Sequence, residues 1–339
     1  MAKSTFSVLP YGAILQGFRI GDRNIVLNFP TQELYERYNT PYFGATIGRT
    51  ANRIADGVLK DLNGRSYKLT TEPGQLHSLH GGVGWSHRTW EGPHTVVRNG
   101  REALAFTYLS KDGEDGYPGT VEARVYYSTS REGEDKGVGE NGEGKTVLEI
   151  EFEAELVGDE CEETVVSMTN HTYFNIGDGP TIDGTEAMLK TDKYLPIDPT
   201  GIPLGSIETY EPIRVTRPFY LDATYPDIDD CFVMDDRPST VPIDTRPLPL
   251  RLNAFFRHVR TDLRLEVFST EPAFQFYTGK YIDVPAVDVA PDRQSHAGFA
   301  VEPGRFTNAA NVPEWKGMCV LKKGEVYGSK IVYKAWKGN

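Results

Sequence analysis

Hydrophobic and polar residues alternate strictly along one stretch of the chain. From Leu148 to Leu156 an apolar residue occupies every second position, and glutamates occupy the positions between them. A period of two predicts a β-strand with one face toward a core and the other toward water. The same alternation from Leu263 to Val267 predicts a second strand of this kind.

Further β-rich runs cover 103–109, 120–127, 165–168 and 273–277. Turn formers such as Asn63-Gly64, Asp112-Gly113 and Asp183-Gly184 punctuate the chain. A short helix is predicted only at 31–38, and no strand–helix alternation is present, which disfavours a Rossmann fold or a TIM barrel. We therefore predict an all-β protein, a large sandwich or barrel with very little helix.

One segment breaks the β pattern. Residues 131–145 (REGEDKGVGENGEGK) combine five glycines with dense charge and a single apolar residue. Such a composition cannot bury enough surface to offset its ordering entropy. Because β patterning resumes directly after it, we predict a single domain, 1–339, with a flexible hairpin insertion at 131–145.

Composition narrows the class of protein. The chain has 339 residues, with 36 Lys+Arg against 48 Asp+Glu and a formal charge of −12. An acidic surface repels phosphate backbones, so no nucleic-acid partner is expected. No apolar run approaches the ~18 residues of a membrane span, and no signal sequence is recognisable. Three scattered cysteines, Cys161, Cys231 and Cys319, suggest neither a disulfide framework nor a zinc site. We expect a soluble cytoplasmic protein, a monomer or weak dimer.

Four segments concentrate polar side chains beside glycines and aromatics: 48–53, 77–82, 169–175 and 301–304. Each has an ordinary structural explanation, such as a turn histidine for His80 or a hydrogen-bonded core histidine for His171. Glu302 is the hardest to explain structurally, because an ionised glutamate inside an apolar run needs a partner or a function. A metal pair at His77 and His80 is a weaker option, since no HExxH motif or Cys/His cluster accompanies it. Nothing supports a nucleotide cofactor.

The order of several motifs resembles that of the aldose 1-epimerase (galactose mutarotase) family. The motifs are IGRTANRIADG, HSLHGG, DGEDGYPGTVEARVYY, TNHTYFNIGD, FQFYTG and GFAVEP. They cover nearly the whole chain in unbroken order. The resemblance implies a large antiparallel β-sandwich of the galactose mutarotase type, with a concave site for a free aldose and no cofactor or metal.

The same resemblance implies roles for individual residues. Glu302 matches the general base, His171 the general acid and His80 an assisting histidine. The matches to substrate-binding positions are Asn52, Arg53, Asp229 and Gln275. Of the aromatics that could lie against a sugar face, Trp85, Tyr173 and Phe232, core packing is expected for most, and Tyr173 is the best candidate. The chain departs from the family pattern at His77, Asp230 and Cys231. Of the two adjacent aspartates we therefore choose Asp229, rather than Asp230, as the one that binds substrate.

A glutamate and a histidine suit the interconversion of anomers. The base removes the proton of the anomeric hydroxyl while the acid protonates the ring oxygen, and the opened aldehyde rotates before it closes again. Because an acid near pH 7 must hold its proton, we expect neighbouring carboxylates to raise the pKa of His171.

Three alternatives remain open at this stage. The first is an enzyme of the same fold that acts on hexose 6-phosphates, which the acidic balance does not favour. The second is a sugar-binding module without catalysis, and the third, more distant, is a metal-dependent sugar enzyme. The preferred aldose is left undetermined among galactose, glucose, xylose and arabinose.

Overall fold

The structure, a computed structural model, describes residues 5–133, 144–215, 217–287 and 289–338. Its two α-helices are short, α1 (Gln32–Tyr38) and α2 (Pro313–Lys316). Single 3₁₀ turns occur at Ala55–Gly57, Trp85–His87, Glu114–Gly116, Pro238–Thr240 and Ala309–Asn311. The helix predicted at 31–38 is therefore present as α1, and strands make up the rest of the regular structure, as the alternation predicted.

Twenty-six strands are present in the described residues. Those of the first half are β1 (Phe6–Leu9), β2 (Ile14–Ile20), β3 (Arg23–Asn24), β4 (Thr46–Ile47), β5 (Arg53–Ile54), β6 (Val58–Leu62), β7 (Arg65–Lys68), β8 (Ser78–Leu79), β9 (Glu91–Arg98), β10 (Arg101–Ser110), β11 (Val121–Glu132), β12 (Lys145–Leu156) and β13 (Glu163–Val165). Those of the second half are β14 (Thr169–Asn170), β15 (Tyr173–Phe174), β16 (Thr185–Leu189), β17 (Lys193–Tyr194), β18 (Glu208–Thr209), β19 (Phe219–Leu221), β20 (Asp229–Val233), β21 (Arg251–His258), β22 (Leu263–Ser269), β23 (Ala273–Tyr277), β24 (Phe299–Gly304), β25 (Val320–Lys322) and β26 (Val326–Lys337).

Two large sheets dominate the architecture. A nine-stranded sheet has the order β19-β16-β21-β22-β26-β12-β11-β10-β9, and a six-stranded sheet has the order β15-β24-β23-β20-β17-β18. The strands within both sheets pair antiparallel. The remaining strands form smaller sheets of two or three strands.

The main core lies between the two large sheets. Phe256 of β21 stacks on Phe299 of β24 with ring centroids 4.2 Å apart, and Phe174 of β15 meets Tyr333 of β26 edge to face at 5.0 Å. All four rings are fully buried. The large sheets therefore pack face to face as a β-sandwich, which places the six-stranded sheet against a rigid support.

The glutamate face of β12 is less exposed to water than its alternation predicts. Leu148, Ile150 and Phe152 are fully buried on the core side, as the alternation predicts. On the other face, however, Glu151 is only 4% exposed, because Arg98 and Lys330 cover it. Lys330 comes from the adjacent β26 and Arg98 from β9, three strands away in the sheet, so their positions cannot be read from the pattern of β12 alone.

The predicted insertion at 131–145 lies largely outside the described residues. Its two ends belong to the nine-stranded sheet, since β11 extends to Glu132 and Glu132 pairs with Lys145 at the start of β12. Residues 134–143 are not described. The flexible insertion and the single-domain organisation therefore stay predictions.

None of the helices in the described residues is both long and apolar enough to cross a membrane.

A close approach between Gly48 and Trp85 gives a test of the packing. Trp85 is 2% exposed, and the added Cβ of an alanine at 48 would overlap its ring. Overpacking of this kind costs about 1–3 kcal/mol, so Gly48→Ala is expected to lower the free energy of unfolding by that amount in urea titration. Gly179→Ala is the matched control, since its Cβ meets nothing within 4 Å and its stability should be unchanged. Equal stability of the two variants would contradict this packing.

Candidate active site

A cavity of about 200 Å³ opens on the six-stranded sheet. It brings together all eight residues selected from the sequence, Asn52, Arg53, His80, His171, Tyr173, Asp229, Gln275 and Glu302. Thr40, Pro41, Tyr42, Leu79, Tyr277, Tyr281 and Ile282 complete its lining. These residues come from distant parts of the chain, so the fold itself assembles the site.

Three adjacent strands supply one wall of the cavity. Gln275 on β23 lies directly opposite Glu302 on β24, and Asp229 on β20 lies opposite Tyr277. Successive residues of a strand point to opposite faces, so Asp229 and Asp230 cannot share a wall. Asp229 lines the cavity, whereas Asp230 does not.

The motif around His171 holds its backbone in place. His171 follows β14, where its N–H donates to Ala45 O at 2.8 Å and its carbonyl accepts from Gly44 N–H at 3.0 Å. The Asn170 side chain donates to Gly44 O at 2.9 Å, and the hydroxyl of Thr172 donates to Asn170 Oδ1. The polar residues beside His171 are thus structural, and they leave its ring to face the cavity.

His80 and Asn52 hold one another through reciprocal hydrogen bonds. His80 N–H donates to Asn52 O at 3.0 Å, and Asn52 N–H donates to His80 Nδ1 at 3.2 Å. Gly81 follows with a φ of 83°, and a Cβ there would overlap the carbonyl of Gly48. The glycine after His80 is therefore required by close packing of two backbones.

Hydrogen bonds link the side chains of Asn52, Gln275 and Asp229 along the cavity. Asn52 Nδ2 donates to Gln275 Oε1 at 3.1 Å, and Gln275 Nε2 donates to Asp229 Oδ1 at 2.7 Å. Asn52 Oδ1 also accepts from Arg53 Nη1 at 3.3 Å. These bonds fix the orientation of four polar side chains before any ligand enters, which reduces the entropy lost on binding.

Glu302 and His171 face one another at the base of the cavity. Glu302 Oε2 lies 3.4 Å from His171 Nε2, and both residues are buried. This distance is slightly longer than the usual 2.7–3.2 Å of a hydrogen bond. The two groups are therefore near enough to act on one ligand without being locked together.

Burial controls the protonation of this pair. Desolvation raises the pKa of Glu302 well above its usual range, and the charge of Asp229 adds to the effect. Desolvation also lowers the pKa of His171 to about 4. The expectation that neighbouring carboxylates raise the pKa of His171 is therefore wrong. A buried site disfavours charge on either group, and a glutamate that holds a proton exerts no attraction on the imidazole.

The aromatic side chains divide between core and cavity. Tyr173 lines the cavity, its ring centroid 5.0 Å from that of His171. Trp85 and Phe232 lie in the hydrophobic core, so neither can contact a ligand. Sequence reasoning missed Tyr42, whose ring lies 4.8 Å from that of His80. Nothing local in the sequence distinguishes Tyr42 from a core tyrosine.

His80, His171 and Glu302 are close enough together to hold a metal ion, because one ligand atom of each lies within 4.8 Å of the others. The hydrogen bonds of His80 fit a cation poorly. Its Nδ1 accepts from Asn52 N–H, and burial lowers its pKa well below 6.5, so the neutral ring carries its hydrogen on Nε2. A cation would have to displace one of these hydrogens, so the site suits a hydroxyl-bearing ligand better.

Known sequences that resemble this chain point to one family. The aldose 1-epimerase family model matches residues 2–334. The chain is 37% identical to the bifunctional protein GAL10 of Pachysolen tannophilus over 98% of its length and 45% of that protein. It therefore spans about half the length of that relative. It is also 32% identical to the galactose mutarotase of Sus scrofa, with 94% of this chain and 87% of that protein covered.

Solved structures show the same fold. A GalM/aldose epimerase homologue from C. elegans matches with a TM-score of 0.79 at 23% identity, over 98% of this chain and 96% of that one. A galactose 1-epimerase from Lactobacillus acidophilus NCFM matches with a TM-score of 0.76 at 20% identity, over 100% and 93%. With the family model covering nearly the whole chain, the protein belongs to the aldose 1-epimerase family of isomerases.

Proposed function

We propose that this protein interconverts the α and β anomers of a free aldose by acid–base ring opening and closure, with Glu302 as general base and His171 as general acid. The observation that carries the proposal is the buried, opposed pair of these side chains at 3.4 Å, in a cavity whose lining also presents the polar side chains of Asn52, Arg53 and Asp229. Membership of the aldose 1-epimerase family supports it.

The chemical step follows from the pair. Glu302 takes the proton of the anomeric hydroxyl, the electrons of that O–H bond form the C1 carbonyl, and the C1–O5 bond breaks. His171 gives its proton to O5. Rotation about C1–C2 exposes the other face of the aldehyde, and the reverse transfers close the ring. Each group ends the cycle as it began, so no cofactor is consumed.

Burial favours the neutral form of this pair. Ring opening by this route begins with a carboxylate beside an imidazolium and ends with both groups neutral. Because desolvation raises the pKa of Glu302 and lowers that of His171, the neutral pair that accompanies the open-chain sugar is the favoured one. The ion pair that begins the step carries the same single proton, so it forms when that proton moves from Glu302 to His171.

The remaining residues suit recognition of sugar hydroxyls. Arg53 supplies fixed donors, Asp229 accepts, and the neutral His80 ring donates through Nε2. Among the described residues that line the cavity, Arg53 is the one permanent cation, beside the carboxyl groups of Asp229 and Glu302. This balance suits a neutral aldose and gives a hexose 6-phosphate no advantage.

Polarimetry tests the proposal directly. Pure α-anomers of galactose, glucose, xylose and arabinose are dissolved with the protein, and the decay of optical rotation is compared with the spontaneous rate. We expect acceleration for at least one sugar, equal with and without EDTA, and no preference for glucose 6-phosphate. Sugar binding without acceleration would instead identify a binding module.

The pH dependence of kcat/KM should show that Glu302 and His171 share one proton. The pair needs exactly one proton between its two groups, so kcat/KM should fall below about pH 4, where His171 and Glu302 are both protonated. On the alkaline side it should fall as the pair loses its last proton, through the raised pKa of Glu302. The plateau should thus be wider than the interval between the ordinary values of ~4.3 and ~6.5.

The spontaneous rate is subtracted at each pH, because acid and base also catalyse the reaction in water. A rate that falls with decreasing pH near 6.5 would contradict a His171 whose pKa is lowered by burial.

A further inference from the structure

The turn at 112–119 (DGEDGYPG) contacts two loops of the site without entering the cavity. Its residues are all described, and none of them lines the cavity. The first loop, 80–84, begins with His80, and the second, 48–53, ends with Asn52 and Arg53. The bonds that the turn makes to each loop therefore decide what it contributes to the site.

The loop at 80–84 needs support from outside, because its backbone has few intrinsic restraints. Three of its five residues are glycines, all with φ between 69° and 86°, and glycine loses more conformational freedom on folding than any other residue. Asp115 supplies the support: its Oδ1 accepts from Val83 N–H and its Oδ2 from Gly84 N–H, each at 3.2 Å. One carboxylate thus fixes the loop that begins with His80.

The backbone around Asp115 is itself held firmly. Asp115 O accepts from Thr70 N–H at 2.9 Å. Gly116 follows with a φ of 87°, and an added Cβ there would lie 2.1 Å from the carbonyl oxygen of Lys68. Glycine is therefore required for this close approach of two backbones. The Asp115 carboxylate reaches the 80–84 loop from a rigid base.

Tyr117 of the same turn bonds to the second loop. Its hydroxyl lies 2.6 Å from Thr50 Oγ1, and both residues are buried. Arg49, one residue earlier in the loop, is also buried and donates from Nη1 to two carbonyl oxygens of the turn, at 2.7 and 3.0 Å. Because Thr50 precedes Asn52 by only two residues, these bonds restrain the backbone from which the Asn52 and Arg53 side chains extend.

The catalytic pair takes its support from other elements. Glu302 lies on β24, which pairs with β23, and the backbone of His171 bonds to Ala45 and Gly44. A disturbance of the 112–119 turn should therefore reach the groups that bind sugar hydroxyls before it reaches the groups that transfer protons.

We propose that Asp115 and Tyr117 are positioning residues, Asp115 for His80 and Tyr117 for Asn52 and Arg53. The inference rests on the proposed function, because it is the sugar that these aligned groups would bind. Neither residue lines the cavity, so each acts through the loop that it holds. Alignment before binding reduces the entropy lost when the sugar enters. Loosening either loop should thus raise KM and leave kcat nearly unchanged.

Asp115→Asn tests the first loop, because an amide keeps one acceptor oxygen and its NH₂ group cannot accept from an N–H. We expect KM for the best aldose of the panel to rise about 3–10-fold, the usual effect of losing one hydrogen bond, with kcat within about twofold of wild type. Polarimetry over a range of sugar concentrations gives both constants. Asp112→Asn is the matched control in the same turn. Asp112 Oδ1 accepts from Gly119 N–H at 2.6 Å, which an amide oxygen can also do, so KM should not change.

Tyr117→Phe tests the second loop by removing the hydroxyl alone, and we expect the same rise in KM with kcat retained. Thr50→Val removes the other partner of this bond, so it should match Tyr117→Phe, and the double variant should be no worse than either. It also keeps the test open if Tyr117→Phe fails to fold. Tyr220→Phe is the control, since its hydroxyl bonds to Glu186 at 2.8 Å on the exposed face of β19 and its loss should leave KM unchanged.

A double variant separates positioning from a general loss of stability. If Asp115 acts through His80, adding Asp115→Asn to His80→Asn should raise KM no further, because the group that it positions is already gone. Additive increases in KM would overturn the positioning role, and so would unchanged KM in Asp115→Asn and Tyr117→Phe. A fall in kcat larger than the rise in KM would overturn it as well.

Calorimetric titration with the same sugar measures Kd without turnover. A wild-type protein that binds the sugar without accelerating mutarotation would count against the proposed function. If the Kd were still weakened by Asp115→Asn and not by Asp112→Asn, the positioning role would stand on its own.

Discussion

Replacing Glu302 by glutamine is expected to lower kcat for mutarotation by about 10²–10⁴-fold, the usual contribution of a positioned acid or base. Glutamine has nearly the shape of glutamate but cannot accept the proton of the anomeric hydroxyl. Because burial already favours a neutral side chain at this position, the substitution should disturb neither the fold nor the cavity. Polarimetry gives the rate, and calorimetric titration with the same sugar should give a Kd within a few-fold of wild type.

A second buried glutamate provides the control for this variant. Glu271 is fully buried and pairs with Arg305 at 2.8 Å, away from the cavity. Glu271→Gln weakens that pair, so it should lower Tm while the folded protein keeps its rate. Loss of activity in Glu271→Gln alone, with Glu302→Gln near wild type, would show that the catalytic base is misassigned.

Replacing His171 by asparagine is expected to reduce kcat by a similar 10²–10⁴-fold, since asparagine can donate a hydrogen bond but cannot release a proton to the ring oxygen. The double variant with Glu302→Gln should be scarcely slower than either single variant, because the two groups complete one transfer together. Near-additive losses in the double variant would mean that the groups act in separate steps.

The chain offers a matched histidine for comparison. His77 precedes His80 by three residues but lies outside the cavity lining, where its Nδ1 accepts from Asp56 N–H at 3.0 Å. His77→Asn should therefore keep the wild-type rate. If His77→Asn were as slow as His171→Asn, loss of loop structure rather than of a proton donor would explain both variants.

The strands with alternating residues could be predicted from the sequence, whereas the order of the strands in the sheets could not. The alternation in β12 and β22 specified strands because the side chains of a strand alternate between faces. That pattern says nothing of which strands are neighbours, so it could not show that Arg98 and Lys330 cover Glu151. Sheet order depends on contacts between residues far apart in the chain.

The candidate site, too, could be predicted only in part from the sequence. The family resemblance selected seven residues, the position beside His171 suggested Tyr173, and the fold gathers all eight around one cavity. The resemblance could not give their environment, and the predicted direction of the pKa shift of His171 was wrong because burial of the imidazole lowers that pKa. Tyr42 was missed because its sequence context is that of any buried tyrosine. Environment is a property of the packed site rather than of a motif.

Strands hold the catalytic pair while loops bound the adjoining cavity, and this has a consequence for how such a protein can change in evolution. Glu302 is held by the hydrogen-bond ladder of β23 and β24, whereas a second cavity, which adjoins the site and shares Arg53 and Asp229 with it, is bounded by the 197–201 loop and by residues 280–281. Loops accept substitutions and changes of length that a central ladder does not. Descendants of one ancestor could thus exchange one carbohydrate for another while Glu302 and His171 stay unaltered, provided that a glycine remains at 201 beside Arg53.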